Sequence, residues 1–139
     1  MNVTKSSTTS FKEASVIFVV GEIGYSLLEI LWRGYTHWTM SLTGGLCFLL
    51  MYSLNQRMAG SSLMKRCLAA ALLITAVEFA VGCLVNLGLN WQVWDYGDWP
   101  LNLFGQVCLF YSALWFLLAI PTLGLCAYLK RRYFSPEER

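Results

Sequence analysis

The chain reads as an all-α, polytopic membrane protein with four spanning helices. Hydrophobic residues make up 57% of the 139 positions and charged residues only 13%, a composition that belongs to a bilayer rather than to water. The charges gather mostly between apolar runs. Those runs approach the length of about 20 helical residues that roughly 30 Å of hydrocarbon demands. Little remains for a soluble domain, so any ATPase would be a separate chain.

The expected organisation is a polar, Ser/Thr-rich cytoplasmic tail over 1–13, a transmembrane domain over 14–129 and a charged cytoplasmic tail over 130–139. The first span, 14–32, is no signal peptide: it holds Glu22 and Glu29, it exceeds an h-region, and no small-residue cleavage site follows it. The second, 38–54, is short and carries Gly44-Gly45, which predicts irregularity toward its outer end. The third covers 67–89. The fourth, 101–129, is long and holds Pro121, which predicts a kink or tilt.

Orientation follows from basic residues. Lys5, Lys12, Arg57, Lys65, Arg66, Lys130, Arg131, Arg132 and Arg139 fall on one side of this scheme and Arg33 alone on the other. Both termini are therefore expected in the cytoplasm, which removes the Asn2-Val3-Thr4 glycosylation pattern from use. Trp32, Trp38, Trp91, Trp94 and Trp99, with Tyr35 and Tyr96, would form an aromatic belt at the outer face. A parallel tandem repeat of two helices is also expected. Glu22 falls over Glu78, Trp38 over Trp94, and Gly44-x-x-Cys47 over Gly105-x-x-Cys108, with sixteen residues from glutamate to tryptophan in both halves.

Glu22 and Glu78 each lie inside an apolar run with no Lys or Arg within a helical turn. A bare charge at the centre of a membrane helix costs on the order of 3 kcal/mol, so each acid must be protonated, neutralised from another helix or occupied by a cation. Glu22, Tyr25 or Ser26, Glu29 and Arg33 recur at helical spacing on one face. Glu29 and Arg33 read as a local ion pair. Thr75, Glu78, Gly82 and Asn86 form a second stripe, where Gly82 would admit a neighbouring helix and Thr75 or Asn86 would hydrogen-bond across it. Asn102, Gln106 and Ser112 form a third, on the fourth helix. Asp95 is expected to pair with Arg33, and Asp98 to favour the start of the fourth helix. As structural packing instead, the two mid-membrane acids would be protonated glue between helices.

Other classes find little support. The net charge of +2 and the lack of a basic, aromatic-interleaved surface segment exclude nucleic acid as a partner. Cys47, Cys67, Cys83, Cys108 and Cys126 show no C-x-x-C spacing and are accompanied by the single histidine, His37. They read as buried free thiols, so neither a metal site nor another cofactor is expected. No enzyme pattern is found.

Thr75-Ala76-Val77-Glu78-Phe79, Trp94-Asp95-Tyr96, Pro100-Leu101-Asn102, Gly105, Cys108, Ser112 and Leu114-Trp115 resemble the signature half of a bacterial integral membrane family known as ABC-transporter type IV, permease-like. The likeness covers about 75–118. Gly24-Tyr25, Glu29 and Arg33-Gly34 resemble its earlier elements, whereas Tyr35–Gly45 departs from the family's G-P and P-I-x-G segment. The resemblance implies a multi-pass inner-membrane protein and transport.

The expected function is transport of a small cationic solute, coupled to protons or cations, with Glu22 and Glu78 as the binding groups and a homodimer or larger as the working unit. A non-transporting scaffold or accessory subunit, or the membrane subunit of an ATPase-driven transporter, are the alternatives.

Overall fold

The computed structural model describes residues 9–134. The Asn2 acceptor pattern, Lys5, Arg139 and the outer parts of both tails lie outside the described residues. Four helices dominate, with one small hairpin between the last two.

Helix α1 runs Phe11–Arg33. The Ser10 hydroxyl accepts the Glu13 N–H at 3.2 Å and satisfies one of the free donors of the first turn. Gly34 ends the helix at φ 85°, giving its N–H to the Ile30 carbonyl at 2.8 Å, the left-handed closure that glycine makes cheaply. The helix begins before residue 14, which takes Glu13 out of the expected tail.

Helix α2 runs Trp38–Arg57 without the irregularity expected at Gly44-Gly45. Those glycines are buried against α1 instead. A Cβ on Gly44 would lie 2.5 Å from that of Tyr25, and one on Gly45 would lie 2.7 Å from Cγ of Glu22. Gly21 on α1 meets Phe48 in the same way. Small residues bring two helix backbones together, so here they serve contact rather than bending.

Helix α3 runs Leu63–Gly82 and then widens into a π turn over Cys83–Gly88. Helix α4 begins only at Leu109, ends at Leu129 and continues as a wider turn to Phe134. The expectation of a helix from 101 is corrected. Strands β1, Asn102–Leu103, and β2, Val107–Cys108, pair antiparallel there, and Leu101, Phe104 and Gly105 have φ of 56°, 53° and 72°, values a right-handed helix cannot hold. Pro121 lies inside α4 without ending it.

The chain order places both described termini and the α2–α3 connection at one end of the bundle, and the short α1–α2 turn and long 89–108 loop at the other. Two cores result. Ile17, Phe48, Met51, Tyr52, Cys67, Ala70, Ala119, Leu123 and Cys126 join all four helices toward the terminal end, while Met40, Val85 and Trp94 pack under the loop. At the terminal end Glu13 accepts hydrogen bonds from Tyr52 and from Lys130, the latter at 2.9 Å, which ties α1 to α2 and α4.

Three helical segments, Phe11–Arg33, Leu63–Gly88 and Leu109–Phe134, are long and apolar enough to cross a membrane. Helix α2 is not among them; it carries Thr39, Ser41, Thr43, Ser53, Asn55 and Gln56 and has more buried positions than the others. A helix shielded by its neighbours can be less apolar. The residues aligned by the expected repeat have different surroundings: Trp38 is exposed and Trp94 buried, while Gly44 is helical and Gly105 lies in a turn.

Candidate functional site

The site is built around Glu78 on α3. Its side chain is buried, with Oε1 accepting the Tyr96 hydroxyl at 2.9 Å and Oε2 accepting the Trp115 indole N–H at 3.0 Å. One donor comes from the loop and the other from α4. Both carboxylate oxygens are thereby held without a basic side chain in direct contact. Burial beside Glu78 raises the Tyr96 phenol above its ordinary range, so it remains a donor. Its ring stacks on Tyr111 at 4.7 Å between centroids.

Glu29 is the second acid. Arg33, one turn on, donates to its Oε1 at 2.5 Å, as the helical spacing predicts, and Arg33 also lies 4.8 Å from the centre of the Tyr35 ring. Among the described residues the buried Oε2 atom of Glu29 accepts no hydrogen bond within 3.5 Å, Tyr25 being the donor beside that carboxylate, an arrangement that carries a desolvation cost. Tyr25 borders two cavities, beside Glu29 in the larger and Glu78 in the smaller; its ring is 6.4 Å from that of Trp115.

Two cavities open beside these groups. One of about 350 Å³ is bordered by Glu78, Tyr25, Cys47, Trp94 and Trp115. A larger one of about 640 Å³ reaches Glu29, Arg33, Tyr96, Trp99 and Tyr111. Tyr25, Trp94, Trp115 and Leu118 border both. The larger cavity lies between α1, at Leu28 and Leu31, and α4, at Leu114 and Leu117.

The structure does not bring Glu22, expected as a binding group with Glu78, to either cavity. Glu22 is half-buried, its stem lies against Gly45, and it borders neither cavity. The glycine contact draws α2 over that part of α1 and occupies the space beside Glu22. Glu29, seven residues further on, is the α1 acid that borders the larger cavity, while Glu78 borders the smaller.

The other polar candidates mostly hold the loop. Asn86 donates to the Gln106 side-chain oxygen at 2.8 Å and accepts the Val93 N–H at 2.7 Å. Gln106 also donates to the Phe104 carbonyl at 2.8 Å, and its own carbonyl accepts the Trp94 indole N–H at 2.9 Å. Asn102 donates to the carbonyls of Gly97 and Trp99 and accepts the Gly105 N–H. These bonds occupy the side chains expected to face a solute. Gly82 admits Gln106 and Trp94 rather than a neighbouring helix, since a Cβ there would lie 2.6 Å from the Gln106 oxygen. The cross-helix bond expected for Thr75 does form, to Ser112 at 2.8 Å.

Asp95 accepts the Gly97 N–H at 2.8 Å and does not pair with Arg33. The turn draws its carboxylate back on its own backbone, where it also packs against Gly105. Asp98 is far along the chain from the start of α4 at Leu109, so the helix-start role expected for it is corrected too. Trp94, expected in the belt, is only 4% exposed; Trp32, Trp38, Trp91 and Trp99 remain exposed.

Trp115 and Tyr25 are the site residues the sequence left without a firm role. A signal existed for Trp115: it is the one tryptophan outside the expected belt, and a buried indole N–H needs an acceptor.

A helical membrane protein with a buried, aromatic-lined acidic site is the class these features define. The chain belongs to the family described as Putative ABC-transporter type IV, whose profile matches residues 43–135, from α2 to the end of the described chain and beyond. It is thus a membrane protein related to transport. The matched stretch contains Glu78, the loop and Trp115 and leaves Glu29 outside. No curated protein and no solved structure matches the chain.

Proposed function

We propose that this protein carries a small cationic solute across the bacterial inner membrane, with Glu78 and Glu29 as the groups that exchange protons for it. The supporting observation is a pair of buried acids, each beside one of two adjoining cavities. Two carboxylates facing one guanidinium leave one negative charge to be neutralised by a proton or by the solute, and that alternation is the basis of coupled exchange. In this reading α2 crosses the bilayer as a fourth span inside the shelter of its neighbours. Both termini are cytoplasmic, since Lys12, Arg57, Lys65, Arg66 and Lys130 to Arg132 lie toward the terminal end and Arg33 toward the other. The cavities lie within one chain, so the site does not require a second copy.

The test is cation-driven proton flux in proteoliposomes. Glu78→Gln, eluting and showing helical dichroism as the parent does, is expected to abolish flux; intact flux in that variant overturns the assignment. A reporter fused to the C-terminus and active only in the cytoplasm checks the orientation.

The family description favours a second reading, that the chain is the membrane subunit of a transporter driven by a separate ATPase. Co-purification of a nucleotide-binding chain from native membranes, with flux that depends on ATP, would establish it.

A further inference from the structure

The acids account for the charge of the site but not for its walls. Tyr25, Trp94, Tyr96, Trp99, Tyr111 and Trp115 border the larger cavity together with Glu29, and Glu78 borders the smaller cavity, which shares Tyr25, Trp94 and Trp115 with it. Resting on the transport reading above, we propose that the solute is a monovalent organic cation with a bulky apolar or aromatic body, its charge held between Glu29 and Glu78 and its body against these rings.

Two observations and two general principles lead there. Glu29 is only 5% exposed and borders the larger cavity, and among the described residues its Oε2 accepts no hydrogen bond within 3.5 Å, so that oxygen is left to accept a donor from a solute. Glu78, Glu29 and Arg33 together leave a single negative charge, which suits a monovalent ion. Aromatic faces attract a cation within about 6 Å of the ring, and more strongly once both are out of water. A substituted ammonium or phosphonium suits such walls, because its charge is already wrapped in carbon and it has less hydration to lose than a compact ion.

Size and ligand type point the same way. Cavities of about 350 and 640 Å³ fall in the range of about 300–1,000 Å³ typical of small-molecule sites, and a single metal ion would leave most of that space unfilled. Among the described residues no three His, Cys, Asp or Glu gather as a metal-ligand group. The side between α1 and α4, where Leu28, Leu31, Leu117 and Pro121 line the larger cavity, offers apolar wall for a large body.

The experiment uses the full chain in lipid nanodiscs, following its tryptophan emission, with empty nanodiscs as the blank. The probes are tetraphenylphosphonium, tetramethylammonium and neutral triphenylphosphine oxide. Tetraphenylphosphonium is expected to quench saturably, tetramethylammonium to bind about thirtyfold more weakly, and the neutral compound not to compete. Glu78→Gln and Glu29→Gln are each expected to weaken tetraphenylphosphonium binding by about tenfold. Leu118→Trp, which fills the wall shared by both cavities, weakens it without touching either acid. Equal binding of tetramethylammonium and tetraphenylphosphonium overturns the bulky body and leaves cation transport standing. Binding that neither glutamine variant weakens, in protein that elutes and folds as the parent, overturns both. Binding insensitive to Leu118→Trp overturns the placement of the body.

Discussion

Glu78 is a membrane acid whose two oxygens are each given a neutral donor. The bonds from Tyr96 and Trp115 orient the carboxylate without neutralising it, which a basic neighbour in direct contact would have done. Trp115→Phe removes one donor while keeping most of the ring. Leaving one buried oxygen unsatisfied costs about 1–3 kcal/mol, so the thermal unfolding midpoint in detergent should fall. Tyr96→Phe should cost a similar amount. Because the two donors share one carboxylate, the double variant should depart from additivity; strict additivity would argue that the donors act separately. Glu22 has a different place, against Gly45. Glu22→Gln is therefore expected to reduce proteoliposome flux far less than Glu29→Gln, and the reverse order would restore Glu22 to the site.

At the level of elements, α1 and α2 are joined through glycines and α3 and α4 through the loop. Gly44→Leu would drive a branched side chain into Tyr25, where even a Cβ lies at 2.5 Å. The expected result is separation of α1 from α2 and loss of a monodisperse elution peak. A Cβ added at Gly24 or Gly124 would meet nothing within 4 Å, so Gly24→Ala and Gly124→Ala should change stability by no more than about 0.5 kcal/mol. The loop depends on Asn102, whose amide bonds both sides of the turn. Asn102→Ala should release Tyr96 and Trp94 together, read as faster backbone hydrogen exchange across 93–106. Unchanged exchange there would show that the hairpin stands without that side chain.

Across the whole molecule, the bundle is clasped at its terminal end and open toward the loop. Lys130 and Tyr52 meet on the buried Glu13, closing α1, α2 and α4 around the larger core, whereas beside Glu29 the larger cavity lies between α1 and α4. Removing one member of a buried ion pair strands the other and costs about 3–5 kcal/mol when both are deeply buried; the Lys130 side chain is 22% exposed, so the loss should be smaller. Lys130→Met should raise hydrogen exchange at the start of α1 and the end of α4 together, and a rise confined to α4 would mean the pair does not couple them. Three apolar runs long enough to span were readable in the chain because a helix in lipid must satisfy its backbone within itself, and the Glu29–Arg33 pair because residues four apart share a helix face. The hairpin before α4, the burial of Trp94 and the placing of Glu29 rather than Glu22 beside a cavity were not. They rest on contacts such as Asn86 with Gln106 and Tyr96 with Glu78, between residues far apart in the chain. No local periodicity encodes such contacts, and they form only when a loop folds back and two helices are drawn together by glycine.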